Sequence, residues 1–111
     1  MKNLVMRVAG VTFENRQAIL AVMRGFEVCQ LRPEPDNAFD RNAIAIYVEV
    51  ELGAAAVQIG YVPKDLAAQI APHLDGESLL GHVTSITGGF VKNDGSMASY
   101  GAMVRVELPD D

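Results

Sequence analysis

The sequence predicts a mostly β protein of the α+β class: a small antiparallel barrel of six strands with two flanking helices. Short apolar runs that alternate with polar residues recur along the chain, and each is typical of a half-buried strand. Only two stretches place apolar residues at helical spacing. The strands follow one another in hairpin-like succession, which disfavours a parallel sheet with alternating helices. Closing such a sheet into a barrel removes its exposed edges.

The first third of the chain is predicted to fold as a strand, a helix and a second strand. Residues 4–9 alternate in polarity and form the first strand. Residues 14–25 follow helical spacing and end in Gly25, a common residue beyond a helix C terminus. The apolar positions of this helix are Ile19, Val22 and Met23. Residues 27–32 give the second strand.

The middle of the chain contains the clearest strand, residues 43–50, and a fourth strand over residues 57–62. One face of the clearest strand carries Ile44, Ile46, Val48 and Val50, and the other carries Ala45, Tyr47 and Glu49. Strict alternation of this kind predicts a strand with one face toward the core.

A second helix is predicted over residues 63–75. Pro63 suits the first helical position, and Asp65 lies near the positive end of the helix dipole. Pro72 is expected to end or kink the helix, because its ring clashes with the backbone one turn earlier. The expected buried stripe consists of Leu66, Ile70 and Leu74.

Two long strands, residues 80–91 and 99–108, complete the predicted sheet. They are joined by the turn sequence KNDGS at residues 92–96, which is typical of a hairpin. Residues 109–111 are expected to fray.

The composition indicates one globular domain over residues 1–111, with a net charge of -5 from 9 basic and 14 acidic residues. This charge argues against binding duplex DNA by charge alone, although it leaves room for a small local site. No apolar run approaches the roughly 20 residues of a membrane span. The N terminus lacks a signal-type apolar core, so a cytoplasmic protein without membrane contact is expected. The single cysteine, Cys29, excludes an intrachain disulfide and is expected to be a small buried apolar residue.

The densest polar segment is LRPEPDNAFDRNAI, residues 31–44. Its prolines stiffen the path, and its Asp, Asn and Glu side chains favour tight turns. Asp40 differs, because it directly follows the aromatic Phe39 and precedes a strand. The residues alone leave open whether Asp40 contacts a ligand or a backbone amide. A calcium site is disfavoured, since the segment lacks the alternating oxygen ligands, central glycine and terminal Glu of an EF-hand.

No catalytic site, metal or cofactor is predicted. His73 and His82 lie in unrelated segments without cysteine partners, which disfavours zinc. The sequence contains no nucleophile elbow, no phosphate-binding glycine loop and no His-containing triad pattern. We therefore expect no enzymatic activity, and any hydrolase activity would belong to a partner protein. Whether Phe13, Phe39 and Tyr61 fill the core or line a binding surface stays open on the residues alone.

Three fragments, in their order and spacing, resemble the HIRAN domain family, in particular its stand-alone bacterial type. Residues 10–13 match an early Gly-x-x-aromatic pattern, and residues 31–44 match the family's long ordered motif. Residues 60–67 match a Gly-aromatic-apolar-Pro pattern that precedes a helix. The resemblance covers residues 5–108. It implies an OB-like barrel that captures the 3′ end of single-stranded DNA.

The resemblance also implies which residues bind nucleic acid. Phe13, Phe39 and Tyr61 would form the pocket wall, where bases of any sequence can stack. Asp40 would accept a hydrogen bond from the terminal 3′ hydroxyl and repel a phosphate at that position. The full implied set, with Asn37 and Lys64 near the DNA backbone and Tyr100 as a late stacking residue, is Thr12, Phe13, Asn37, Phe39, Asp40, Tyr61, Lys64 and Tyr100.

Several departures from the family's best-known DNA-binding member predict weaker DNA binding. Thr12 stands in place of a basic residue, Phe39 in place of a tyrosine and Tyr61 in place of a histidine. A helical insertion over residues 14–24 is expected to narrow or cover the groove.

Two functions of different classes stay open, of which the first is favoured, and a third, a small hydrolase, would need a carboxylate pair that converges in a cleft. One is an accessory module in DNA repair or replication-fork processing that recognises a free 3′-hydroxyl end and acts with a helicase or nuclease in trans. The other is a protein–protein adaptor of the same fold without DNA binding. In the adaptor, the helix with Ile19, Val22 and Met23, together with the edge strands, would be the contact surface.

Overall fold

The computed structural model describes residues 2–108, which form six β-strands and two α-helices. In chain order the elements are β1 (Lys2–Arg7), α1 (Arg16–Val22), β2 (Val28–Pro33), β3 (Ile44–Val48), β4 (Val57–Tyr61), α2 (Lys64–Leu74), β5 (Leu79–Thr87) and β6 (Gly101–Leu108). The expected fraying of residues 109–111 lies outside the described residues.

All six strands lie in one antiparallel sheet with the order β1-β6-β5-β2-β3-β4. The two outer strands of this order, β1 and β4, meet just beyond the end of β1. There Ala9 and Tyr61 exchange two backbone hydrogen bonds, with N–O distances of 2.8 and 2.9 Å. The predicted mostly β, α+β fold is confirmed, and this contact between the outer strands agrees with an OB-like barrel.

Gly60 makes this contact between the outer strands possible because it has no side chain. A Cβ at this position would collide with the carbonyl oxygen of Ala9 and with the side chain of Val8. The glycine therefore permits the close approach of two backbones.

The core between sheet and helices is aliphatic. Its largest fully buried side chains include Leu20, Leu31, Ile44, Ile46, Ile59 and Ile70. Within residues 2–108, no aromatic side chain belongs to the buried core. Cys29 is buried as predicted, and desolvation raises the pKa of its thiol to about 12. It behaves as a small apolar residue.

The first helix is shorter than predicted, covering Arg16–Val22 instead of residues 14–25. Its end is explained by Glu27, whose carboxylate accepts hydrogen bonds from the backbone N–H groups of residues 24–26 at 2.6, 2.9 and 3.0 Å. These N–H groups are bonded to a side chain instead of to helical carbonyls, so the chain leaves the helix.

The predicted apolar face of α1 is correct for Met23 and wrong for Val22. Arg16, Leu20 and Met23 form the buried face, and Ile19 is half-buried. Val22 is 65% exposed, because it lies about 200° around the helix from Leu20.

The second helix begins one residue later than predicted and continues beyond Pro72. Pro63 has an extended backbone (φ -52°, ψ 141°), and its carbonyl accepts the first helical hydrogen bond at 2.8 Å. Pro72 cannot donate to the carbonyl of Ala68, but both residues face solvent, where water can bond that carbonyl. The helix ends at Asp75, which takes the left-handed conformation. The predicted stripe is buried at Ile70 and Leu74, with Leu66 half-buried and Ala67 added.

Three strands are shorter than predicted. β3 ends at Val48, β5 ends at Thr87, and β6 begins at Gly101. The glycine pair 88–89 has positive φ (76° and 74°), which turns the chain out of the ladder. The predicted turn over residues 92–96 is present, and its end residues share a backbone hydrogen bond of 2.7 Å.

Candidate nucleic-acid interface

The loop between β2 and β3, residues 34–43, continues the hairpin formed by these two core strands. The N–H of Glu34 donates to the carbonyl of Ala43 at 2.8 Å, which extends the pairing beyond the strand ends. Within the loop, the N–H of Asn37 donates to the carbonyl of Glu34, and the N–H of Ala43 donates to the carbonyl of Asp40, both at 3.0 Å. The loop is therefore a bonded extension of the sheet.

The side chain of Asn37 organises the centre of this loop. Its Oδ1 accepts hydrogen bonds from the N–H groups of Phe39 and Asp40 at 2.9 and 3.1 Å. Its Nδ2 donates to Oε1 of Glu34 at 3.0 Å. An amide supplies both the acceptor and the donor that this geometry uses, whereas a carboxylate would lack the donor. Asn37 thus positions the backbone of the aromatic–acid pair that follows it.

Phe39 lies on the surface with its side chain almost completely in water. It is 96% exposed and lines an open depression of about 660 Å³ formed by residues 35–41. The alternative of a core role for Phe39 is therefore excluded. An aromatic ring that the fold does not bury has both faces available to a planar ligand.

Asp40 has one oxygen committed to the backbone and one available. Its Oδ1 accepts the N–H of Asn42 at 2.9 Å, an Asx-turn contact. Its Oδ2 accepts no hydrogen bond from any residue between 2 and 108. Asp40 is half-exposed. A ligand contact and a backbone contact of Asp40 are therefore compatible, since the backbone contact uses only one of its two oxygens.

Tyr61 connects the loop to β4. Its hydroxyl donates to Oε1 of Glu34 at 2.9 Å, the same oxygen that accepts from Asn37. Gln58 lowers the pKa of Tyr61, but desolvation, the hydrogen bond to Glu34 and the negative charge of Glu34 together raise it above its ordinary value. The phenol therefore stays protonated and continues to donate at neutral pH. One carboxylate holds both Asn37 and Tyr61.

Phe13 and Tyr61 both lie close to Gly10. A Cβ built on Gly10 would lie 3.7 Å from Cδ2 of Phe13 and 4.0 Å from Cδ2 of Tyr61. Phe13 is 66% exposed, so α1 does not cover it. The expectation that the helical insertion covers the groove is therefore wrong at this ring. Gly10 has a φ of 71°, a conformation that favours glycine.

Arg16 supports this part of the surface from beneath. Its Nη1 donates to the carbonyl of Gly10 at 2.7 Å, and its guanidinium carbon lies 5.5 Å from the centre of the Tyr61 ring. Glu14 is its ionic partner at 4.0 Å. The Arg16 side chain is buried. It therefore holds the carbonyl of Gly10 and the ring of Tyr61 in place instead of facing solvent.

The remaining predicted residues are distributed around this centre. Thr12 is exposed beside Phe13, and Lys64 is exposed at the first position of α2, three residues after Tyr61. Tyr100 is different, because its ring is half-buried, packs toward the core and lies against Gly89. Its position is less open than that of the two phenylalanines.

The backbone of Tyr100 is held by Gln17 of α1. Oε1 of Gln17 accepts the N–H of Tyr100 and Nε2 donates to its carbonyl, both at 2.8 Å. The same Nε2 donates to the carbonyl of Val11 at 2.9 Å. Gln17 thus joins the segment that carries Phe13 to the start of β6.

Three residues that matter for this geometry were not among the predicted site residues: Arg16, Gln17 and Glu34. Glu34 belongs to the recognised motif, and its position there was a usable signal. Arg16 and Gln17 look like ordinary polar helix residues in the sequence, and only their tertiary contacts distinguish them.

Two features are absent from the described residues. Among residues 2–108, no group of three or more His, Cys, Asp or Glu side chains could hold a metal ion. In the same part of the chain, no helix is long and apolar enough to cross a membrane.

Fold and surface together define a small β module that carries exposed aromatic rings and a half-exposed carboxylate beside a bonded hairpin loop. The chain matches the HIRAN domain family over residues 2–105 and belongs to that family. The predicted family membership is confirmed. The family is generally linked to DNA and other nucleic-acid binding.

The solved structures include one similar fold, the crystal structure of the HIRAN domain of human HLTF. The match has a TM-score of 0.56 and 21% sequence identity, and it covers 95% of this chain and 76% of that chain. At this identity the likeness shows the fold. A search among curated proteins found no match.

Proposed function

We propose that this protein is a non-enzymatic module that binds single-stranded DNA and recognises a free 3′-hydroxyl end. The observation that carries the proposal is the pair formed by Phe39 and Asp40. The ring is 96% exposed, and one amide side chain fixes the backbone of both residues. This pairing places a stacking surface beside a hydrogen-bond acceptor at the tip of a hairpin.

The aromatic rings supply affinity without sequence choice. Every base has a π face, and stacking on an aromatic side chain is worth about 1–3 kcal/mol per base. Phe13 and Phe39 are exposed, and Tyr61 is held in place by Glu34 and Arg16. A short unpaired strand could therefore contact several rings without distortion of the core.

Asp40 supplies the preference for the end of the strand. Its available oxygen can accept a hydrogen bond from a 3′ hydroxyl, whereas a 3′ phosphate would bring its own negative charge close to that of the carboxylate. The free oxygen of this carboxylate supports discrimination by repulsion as well as by attraction. Lys64 and Thr12 are exposed nearby and can contact the phosphates that precede the end.

Fluorescence anisotropy at low salt tests the proposal directly. A labelled eight-nucleotide strand with a 3′ hydroxyl should bind more tightly than the same strand with a 3′ phosphate, and a blunt duplex should bind least. Equal affinities for all three would contradict end recognition, and no binding to any of them would contradict nucleic-acid binding.

In this proposal the chain acts in the cytoplasm in DNA repair or fork processing, and a helicase or nuclease is supplied by another protein. The absence of catalysis is also part of the proposal. Incubation of the purified protein with labelled single strands should leave their length unchanged with and without Mg²⁺.

A further inference from the structure

The adaptor function requires a protein-binding surface, and the helix part of the surface predicted for it is largely buried. Met23 is buried and Ile19 is half-buried, which leaves Val22 as the exposed apolar residue of that helix face. A different surface has the properties that the adaptor would need. It lies at the opposite end of the β2–β3 hairpin from the loop of residues 34–43.

This surface is a groove of about 670 Å³, the "open-end groove", between residues 24–30 on one side and residues 47–56 on the other. It shares no lining residue with the depression beside Phe39. Pro35, at the edge of that depression, lies five residues after Gln30, the last groove residue on β2, which corresponds to roughly 16 Å of extended chain.

The walls of the open-end groove carry large apolar side chains that the fold leaves in water. Phe26 is 68% exposed and Leu52 is 102% exposed, and Val28, on the same side of the groove as Phe26, is also exposed. Apolar residues that line one concave surface mark a site for a protein partner more often than scattered ones do.

The charges of the groove are mainly acidic. Its lining contains Glu27, Glu49 and Glu51 against Arg24, and the Arg32 guanidinium lies 4.0 Å from the centre of the Tyr47 ring that also lines it. Glu27 is bonded to three backbone N–H groups. Desolvation opposes ionisation of this carboxyl, but those hydrogen bonds outweigh it and lower its pKa, so it remains charged at neutral pH. Glu49 and Glu51 are exposed and have no basic partner among residues 2–108.

We propose that the open-end groove binds an extended segment of a partner protein that presents a large apolar side chain next to Lys or Arg. The apolar side chain would pack between Phe26 and Leu52, and the basic group would pair with Glu49 or Glu51. Charge complementarity selects this occupant, because the exposed carboxylates of Glu49 and Glu51 attract a basic group and repel a nucleic-acid backbone. The proposal does not depend on DNA binding, since the groove and the loop of residues 34–43 have no residue in common.

A random twelve-residue peptide library displayed on phage can test the groove. Selection against the immobilised full chain should enrich peptides that combine Lys or Arg with Leu, Phe, Trp or Tyr. Synthetic copies of the enriched peptides are then measured by isothermal titration against three proteins: the wild type, Phe26→Ser and Phe90→Ser. Phe90 is the matched control, because it is 61% exposed and lies outside the groove.

Phe26→Ser should weaken peptide binding about tenfold or more, as truncation of a central interface aromatic does, and Phe90→Ser should leave it unchanged. Glu49→Lys combined with Glu51→Lys should likewise weaken the basic peptides. Failure to enrich peptides, enrichment without basic residues, or equal binding by Phe26→Ser and the wild type would each overturn the proposal. The alternative occupant is a second copy of the chain, and sedimentation velocity tests it. A dimer that dissociates in Phe26→Ser would assign the groove to that second copy and contradict a peptide partner.

Discussion

Phe39 and Asp40 lie on a hairpin loop whose folding and whose proposed binding function depend on different side chains. Asn37 and the backbone form the turns, and the aromatic ring takes no part in them. The side chains that shape the loop are therefore different from the side chain that it displays. Substitution of the displayed residue should affect binding and leave the fold intact.

Phe39→Ala is expected to weaken binding of single-stranded DNA by about fivefold to a hundredfold, the value of one stacked base. Its urea unfolding midpoint should be nearly unchanged, because the ring is exposed. Anisotropy titration and urea denaturation measure the two effects. Phe90→Ala is the control, since it removes an exposed ring from a different hairpin; an equal loss of affinity in both variants would contradict a specific role for Phe39.

Asp40→Asn should remove the preference for a 3′ hydroxyl over a 3′ phosphate. The amide keeps an Oδ1 acceptor for the N–H of Asn42, so the turn is preserved while the negative charge is lost. The ratio of the two dissociation constants, measured by anisotropy, should approach one. A ratio that stays at the wild-type value would show that another group reads the strand end.

Glu27 offers a pH-dependent prediction that concerns stability. Its folded-state pKa is lowered, so its contribution to stability is present above the unfolded-state pKa and is lost as pH falls through the folded-state pKa. Glu27→Gln should therefore destabilise the protein at pH 7, by about 1–3 kcal/mol for the loss of charge-assisted hydrogen bonds.

Urea unfolding of wild type and Glu27→Gln from pH 7 down to pH 3 provides the measurement. The difference in unfolding free energy should shrink as the pH drops below the ordinary range of a glutamate. Glu107→Gln is a suitable control, because Glu107 is exposed on β6. A difference in unfolding free energy between wild type and Glu27→Gln that does not vary with pH would contradict the assigned role of the Glu27 charge.

At the scale of elements, the sequence predicted the strands and their order along the chain well, because alternation in polarity directly reflects burial. The same signal could not give the ends of α1. Glu27 lies outside the predicted helix, and its capture of three N–H groups is a side-chain effect that periodicity does not encode. Pro72 was misjudged for a related reason: exposure to water removes much of the penalty that a proline imposes near a helix end.

The candidate site was also only partly predictable, because a local motif indicates the loop but not the tertiary contacts around it. The long motif of residues 31–44 indicated the loop. In the structure, Glu34 accepts hydrogen bonds from Asn37, which lies in the same loop, and from Tyr61, which lies on β4. The roles of Arg16 and Gln17 depend on contacts with Gly10, Val11 and Tyr100, which no local pattern reveals. The binding roles of the predicted residues remain predictions.

Gly60 is the element-level position where a small change should have a large effect. Gly60→Ala places a methyl group against the carbonyl of Ala9 and should cost about 1–3 kcal/mol through overpacking. The shift in the thermal unfolding midpoint measures this cost. Gly53→Ala is the comparison, because a Cβ there meets no atom within 4 Å and reports only the penalty of a positive φ. Equal shifts in the two variants would contradict a tight contact at Gly60.

For the whole molecule, the net charge of -5 sets the expected salt dependence of DNA binding. An acidic protein with few basic groups near the site can neutralise few phosphates, so the slope of log affinity against log salt should be shallow. Lys64→Gln should reduce this slope by about 0.7, the value of one phosphate contact on a single strand. Arg105→Gln, on β6, should leave the slope unchanged.

Anisotropy titrations at several salt concentrations give these slopes. A steep slope in the wild type, or a slope that Lys64→Gln does not alter, would place the phosphate contacts elsewhere on the molecule. The loop of residues 34–43 and the open-end groove are also predicted to be occupied independently, because they share no residue. An enriched peptide should bind with the same affinity in the presence of a saturating oligonucleotide.

The aliphatic core has a practical consequence for spectroscopy. The chain contains no tryptophan, and every phenylalanine lies at the surface, so its near-ultraviolet signals come from three half-buried tyrosines and four solvated rings. Tyr61 donates to a carboxylate beside the loop, and a change in that contact should alter its emission. Intrinsic fluorescence of the unlabelled protein would therefore report mainly on the outer part of the molecule. Far-ultraviolet circular dichroism would instead follow the loss of its secondary structure.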